Sequence, residues 1–135
     1  MSGADLNLAL FTLALTACVR TALWTVHFRR LKGTVDACRP SRLFMGRYTD
    51  AQIGRAVRLA SRYIPHATCL TQALTAQMLL NWAGIEAKTL IGVRRNEKFE
   101  AHAWVECGGR VLVGGAAESA TYSPMLTLEG RPPAI

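Results

Sequence analysis

The sequence predicts an α+β domain in which helices come first and an antiparallel sheet follows. Up to Gly84 the apolar residues recur at helical spacing, whereas residues 87–113 follow the two-residue period of strands. Helices and strands that are separated along the chain, rather than alternating, are typical of this class. Half of the 135 residues are hydrophobic and only 19% are charged, so we expect one domain over residues 1–135 with a buried core.

Residues 1–48 are predicted to form an N-terminal helical segment. Residues 4–31 contain no Pro or Gly, which favours one or two helices ending at Gly33. The residues before Cys18 imitate a lipoprotein signal, but they include no Lys or Arg. The apolar run over residues 8–19 is only about a dozen residues, short of the roughly 20 that span a bilayer. We therefore expect a packed helix, no membrane span, and a cytoplasmic protein with reduced thiols.

The excess of positive over negative charge is confined to residues 20–62. The chain carries 16 Lys and Arg against 9 Asp and Glu, a net charge of +7, and this segment alone holds ten basic residues and two acidic ones. A chain that coats nucleic acid usually spreads its charge and interleaves aromatic residues. We therefore expect no nucleic-acid partner and interpret the segment either as a solvated face or as a docking surface for an acidic partner.

Two helices are predicted at the start of a core that spans residues 49–120. The first begins at Asp50, with Thr49 or Asp50 as its cap, and ends before Pro65. The second begins near Cys69 and ends at Gly84, which suits a left-handed cap. Because the second helix is apolar on most sides, we expect it to be central and largely buried.

Three strands complete the predicted core, over residues 87–93, 99–107 and 110–113. The second and third are joined by the two-residue turn Gly108-Gly109. Regular pairing across this hairpin places Cys107 opposite Arg110, and therefore His102 opposite Gly115.

Cys69 and His102 are the candidate catalytic residues. Cys69 lies in the first turn of the buried helix, where unpaired N–H groups and the helix dipole favour a thiolate and can receive an oxyanion. His102 lies within a strand, which can hold an imidazole rigidly toward a helix end. A cysteine beside a histidine is the core of a thiol hydrolase or acyltransferase, although buried cysteines and strand histidines are also common structural residues.

The pattern over residues 65–115 resembles the transglutaminase-like cysteine peptidases of lasso-peptide maturation. The resemblance rests on Cys69-Leu70 opening a helix, Gly84-Ile85 leading into the strand Leu90-Ile91-Gly92-Val93, and the strand Ala101-His102-Ala103-Trp104-Val105-Glu106. It implies a transglutaminase-like (papain-like) fold with a Cys-bearing helix packed on a small antiparallel sheet. It also implies removal of the leader from a lasso-peptide precursor, with Cys69 as nucleophile and His102 as base and later acid.

The sequence departs from this family at the residue that orients the histidine. Members commonly place an aspartate about a dozen residues beyond the histidine, where this chain has Gly114. Glu106 shares the face of His102 but lies roughly 13 Å along the strand, too far for a hydrogen bond. Glu118 is a weaker candidate because it also fits an ordinary surface charge. We therefore expect a Cys-His dyad, or a backbone carbonyl as the orienting group.

Three other functions fit the same residues. His66, Cys69, His102 and Cys107 are zinc ligands by type, but positions 102 and 107 point to opposite faces of a regular strand. A non-catalytic peptide-binding module is the second alternative, because the aspartate is missing. A thiol acyltransferase or amidase is the third alternative. It differs from a peptidase in the molecule that releases the acyl group from the cysteine.

The resemblance also implies partners. Larger family members carry a leader-recognition module ahead of the peptidase, whereas this sequence starts in peptidase-like helices. We therefore expect a separate leader-recognition protein, together with the precursor peptide and a lasso cyclase. No cofactor is expected to bind this chain directly, although the pathway can depend on ATP. The sequence predicts that the basic residues 20–62, in particular Arg55, Arg58 and Arg62, contribute to docking the recognition protein or an acidic leader.

Overall fold

In the part of the chain that the computed structural model describes, four helices precede a four-stranded antiparallel sheet, which confirms the predicted α+β class. The structure describes residues 3–25, 28–41, 44–64, 68–95, 99–115 and 122–129. The helices are α1 (Gly3–Thr25), α2 (Phe28–Ala37), α3 (Asp50–Ser61) and α4 (Cys69–Ala83). The strands are β1 (Lys88–Arg95), β2 (Phe99–Cys107), β3 (Arg110–Val113) and β4 (Ser123–Glu129).

The two N-terminal helices differ from their predicted bounds. The predicted end at Gly33 is wrong, because α2 continues through this glycine to Ala37. A glycine destabilises a helix interior by roughly 0.5–1 kcal/mol, and the burial of Leu31 and Val35 on either side stabilises α2 against that cost. α1 is 23 residues long, and its stretch Leu6–Thr25 is long and apolar enough to cross a membrane by length and composition alone.

The two core helices begin where the sequence predicted. Thr49 caps α3 in a full capping box, with its side chain accepting from the N–H of Gln52 and the Gln52 side chain accepting from the N–H of Thr49. Helix α4 ends at Gly84, whose φ of 73° is the left-handed conformation that glycine adopts without strain. The predicted terminator Pro65 lies outside the described residues.

The sheet has the order β3-β2-β1-β4. Strands β1 to β3 form the predicted meander, and Cys107 pairs with Arg110 across the glycine turn as expected. Farther from the turn, the predicted register of β2 and β3 is wrong by one residue. A bulge in β3 places Val113 rather than Leu112 opposite Val105. Strand β4 was not predicted; it pairs with β1 and lies beyond the segment 49–120.

Helix α4 is the centre of the core, as its apolar sequence predicted. One face packs on β2 through a cluster that contains Leu79, Leu80, Ala103 and Val105. A buried polar network also joins α4 to β1, because the hydroxyl of Thr89 donates to Gln77 Oε1 at 2.9 Å. The residues of β2 that alternate with this cluster belong to the opposite face of the sheet.

Candidate active site

Cys69 is the first residue of α4, as the sequence predicted. Thr68 caps the helix, and its hydroxyl accepts a 3.3 Å hydrogen bond from the N–H of Thr71. The Cys69 side chain is a half-buried free thiol that packs against the cluster between α4 and β2. It therefore lies at the positive end of the helix dipole, a position that stabilises an oxyanion.

His102 lies in β2 and is buried, with 7% of its surface exposed. Its Nε2 is 2.8 Å from the carbonyl oxygen of Gly114. Because a carbonyl oxygen only accepts, Nε2 carries a proton in this contact, and Nδ1 is the basic nitrogen of the neutral ring. A backbone carbonyl thus contacts the imidazole at the position where the resemblance leads one to expect an aspartate.

Only glycine fits at position 114. Its φ is 106°, in the region that other residues rarely adopt, and a Cβ added there would lie 2.6 Å from Cβ of Trp104 and 3.0 Å from the carbonyl oxygen of Ala103. The chain therefore passes directly over β2 after β3 ends. This close approach brings the Gly114 carbonyl to the imidazole.

An aromatic cluster surrounds the imidazole on its own face of the sheet. The ring of His102 stacks on Trp104 with centroids 5.8 Å apart, and the ring of Tyr122 lies 5.0 Å away. Trp104 in turn donates from Nε1 to Glu106 Oε1 at 3.1 Å. The prediction that Trp104 and Glu106 share the face of His102 is confirmed, and Tyr122 is a neighbour that sequence reasoning missed.

Cys69 and His102 lie at the same end of the helix–strand pair. Residues 84–87 join the end of α4 to the start of β1, which pairs with the end of β2, so α4 runs in the same direction as β2. Gln77 of α4 is hydrogen-bonded to Thr89, which pairs with Val105. Toward the N-terminal end of each element, Cys69 lies about 12 Å from Gln77 along α4, and His102 lies about 10 Å from Val105 along β2.

The His102 side chain nevertheless lies on the face of the sheet opposite to α4, whereas Cys69 belongs to α4. Ala103 and Val105 face α4, whereas His102 shares the opposite face with Trp104 and Tyr122. The sequence suggested that the strand holds the imidazole toward the helix end. The structure instead holds it against the aromatic cluster, level with Cys69 along β2.

The other candidate residues are not brought together with Cys69 and His102 in the part of the chain that the structure describes. Cys107 faces α4, opposite to His102, and its thiol donates to the backbone carbonyl of Glu86 at 3.4 Å and to Asp50 Oδ2 at 3.6 Å. Burial, followed by the hydrogen bond to Asp50, raises the pKa of this thiol. His66 and Glu118 lie outside the described residues. Within the part of the chain that the structure describes, no three residues of metal-ligating type form a group.

The comparisons with known proteins give one finding. A family model described as transglutaminase-like superfamily matches residues 12–127, a span that includes α4, all three predicted strands and most of β4. Comparison with curated proteins and with solved structures gives no match.

Proposed function

The chain belongs to the transglutaminase-like superfamily, and from this premise we propose that it is a cysteine peptidase that removes the leader of a lasso-peptide precursor. Members of the superfamily are commonly cysteine proteases or acyltransferases. The observation that supports the proposal best is the Cys69 thiol at the start of α4, level with an imidazole whose Nε2 is held by a backbone carbonyl.

The proposed reaction requires the His102 ring to reach Cys69 from the opposite face of the sheet. His102 Nδ1 then takes the proton of the Cys69 thiol, and Sγ attacks the carbonyl carbon of the scissile peptide bond. The N–H groups of the first turn of α4 stabilise the resulting oxyanion. Collapse of the tetrahedral intermediate breaks the C–N bond, and the imidazolium returns its proton to the leaving amine. Water then hydrolyses the thioester, with His102 again as base, and restores the thiol.

The substrate and partners in this proposal follow from the resemblance in the sequence. The leader of the precursor peptide binds with help from a separate leader-recognition protein, and a lasso cyclase that uses ATP closes the ring of the released core peptide. The reaction takes place in the cytoplasm and needs no cofactor on this chain. The basic residues 20–62 supply the docking surface for the leader or the recognition protein.

Cleavage of the precursor by matched variants tests this function. The purified chain is incubated with precursor and recognition protein, and products are read by mass spectrometry. We expect Cys69→Ala to lower the cleavage rate by about 10³-fold or more, because the nucleophile is lost. The control Cys18→Ala removes an exposed thiol on α1 and should cleave like the wild type. Equal cleavage by Cys69→Ala and the wild type would remove Cys69 from the mechanism.

A non-catalytic peptide-binding module is the second candidate function. It is favoured by the position of the imidazole, which lies with Trp104 and Tyr122 on the sheet face away from α4. A binding module would retain precursor affinity in the wild type and in Cys69→Ala while neither protein cleaves. A thiol acyltransferase would instead transfer the acyl group from Cys69 to an added amine, which the same mass spectra would reveal.

A further inference from the structure

Helix α1 exposes large apolar side chains and buries two polar ones alongside Leu8 and Val19. Its buried side includes Thr12 and Thr16, both fully buried, whereas Leu10 and Trp24 on the outside are 58% and 71% exposed. Only 22% of the apolar stretch within Leu6–Thr25 is buried. Large exposed apolar side chains gathered on one side of a helix are typical of a site that another apolar surface covers.

The charges next to α1 identify the kind of surface that complements this face. Residues 6–35 contain four Lys or Arg and no acidic residue. At the end of α1, the guanidinium of Arg20 lies 4.5 Å above the ring of Trp24. Tryptophan and arginine each combine an apolar body with a polar tip, which suits the boundary between lipid chains and headgroups. Clustered basic residues beside an apolar helix are attracted to anionic lipids.

The packing of α1 argues against two other arrangements. A spanning helix would place its whole circumference in lipid, but Leu8, Thr12, Thr16 and Val19 are buried and α1 packs against α3 and α4. A second copy of the chain on this face would bring two sets of basic residues together, with Asp5 as the one acidic residue of each α1, which is unfavourable.

We propose that the outward face of α1, formed by Leu6, Leu10, Ala14, Cys18 and Trp24, binds in the plane of an anionic membrane surface. The helix axis lies parallel to the bilayer, with the apolar side chains at the acyl boundary and Arg20 and Arg30 at the phosphate headgroups. The stretch Leu6–Thr25 is about 30 Å long, so the apolar side chains are distributed along several helical turns. This binding site is separate from Cys69 and His102 and does not depend on the proposed peptidase activity.

Vesicle flotation with matched variants tests the proposal. The full chain is mixed with vesicles of phosphatidylglycerol and phosphatidylcholine, or of phosphatidylcholine alone, under reducing conditions. We expect the wild type to float with the anionic vesicles, and Leu10→Asp and Trp24→Asp to bind at least about tenfold more weakly. The control Tyr63→Asp adds the same charge on a side chain that is also 71% exposed, and its binding should stay within about twofold of the wild type. Circular dichroism confirms that each variant is folded.

Four results would overturn the proposal. The first is a wild type that floats with neither vesicle, and the second is a Tyr63→Asp variant that binds as weakly as Trp24→Asp. The third is a wild-type dimer in solution that Leu10→Asp dissociates, since a second copy would then cover the face. The fourth is protein that alkaline carbonate fails to release from the vesicles, since α1 would then span the bilayer.

Discussion

The imidazole of His102 is held by a backbone atom rather than by a carboxylate. The contact from Nε2 to the Gly114 carbonyl leaves the orientation of the ring dependent on the path of the chain after β3. A side-chain acid can be replaced without moving the backbone, but this carbonyl keeps its place only if residue 114 is glycine. Position 114 therefore couples the geometry of the candidate site to local stability.

Gly114→Ala should lower both the stability and the activity of the protein. The added Cβ would lie 2.6 Å from Cβ of Trp104, so the backbone must shift and carry the carbonyl away from His102. Gly109→Ala is the matched control, because Gly109 also has a positive φ, of 77°, but has open space around it. Denaturant unfolding should show Gly114→Ala to be less stable than Gly109→Ala by at least about 1 kcal/mol, and leader cleavage should fall only in the former. Equal destabilisation by the two substitutions would contradict this interpretation.

The Cys107 thiol should make the protein less stable at alkaline pH. Burial and the Asp50 carboxylate raise its pKa above the ordinary value of 9.0. The unfolded chain then ionises this thiol at lower pH than the folded chain, so the stabilisation is complete below pH 9.0 and is lost as the pH rises through the raised pKa. We expect the free energy of unfolding to fall as the pH rises above 9.0, and to fall less in Cys107→Ala. Identical slopes in both proteins would show that Cys107 is not responsible.

At the scale of elements, the cap of α4 matters for function as well as stability. Thr68 fixes the first turn in which Cys69 lies, whereas Thr49 caps α3, which holds neither candidate residue. Thr68→Ala and Thr49→Ala should each destabilise the protein by about 1 kcal/mol. Only Thr68→Ala should slow the alkylation of Cys69, as measured by mass spectrometry of the labelled peptide. An equal effect of both caps on labelling would mean that the first turn of α4 is not what positions the thiol.

The elements that the sequence predicted well are those with strong local signals. Caps, helical spacing and a glycine turn gave the starts of α3 and α4 and the bounds of β2 and β3. The end of α2 was missed because Leu31 and Val35 gain burial on both sides of Gly33. Strand β4 was missed because its pairing with β1 is distant in sequence.

The candidate site was predictable only in part, because local patterns indicate some of its features and contacts between distant residues determine the others. Cys69 at a helix start and His102 in a strand both follow from local pattern, and a backbone carbonyl was already one of two expected orienting groups. The choice of Gly114 depends on a bulge in β3 that shifts the register by one residue. The side of the sheet on which the imidazole lies depends on how α4 packs, which alternation along β2 alone does not determine.

At the scale of the whole molecule, the basic charge and the candidate site belong to different parts of the chain. Arg55 and Arg62 are exposed, whereas Arg58, although also exposed, donates to the carbonyl of Leu112 at 2.8 Å and so ties α3 to β3. A docking surface formed by the basic residues 20–62 should therefore be tested without changing Arg58.

Charge reversal at Arg55 and Arg62 should weaken binding of the recognition protein or an acidic leader. We expect the double change to Glu to lower the affinity and to reduce its dependence on salt, because exposed charges are screened over about 10 Å at 0.1 M ionic strength. Lys88→Glu, an exposed reversal outside the basic segment, is the control. Titration calorimetry at two salt concentrations measures both quantities, and unchanged affinity in the double variant would rule out this docking surface.

The reactivity of Cys69 in the presence and absence of His102 is the most direct test of the proposed dyad. Iodoacetamide labelling at neutral pH, followed by peptide mass spectrometry, gives the rate at each cysteine without any need for the substrate. We predict that Cys69 reacts faster than the exposed Cys18, and that His102→Ala slows Cys69 by at least about tenfold while Cys18 is unchanged. A Cys69 that reacts no faster than Cys18, at a rate indifferent to His102, would contradict the assignment of these two residues as a catalytic pair.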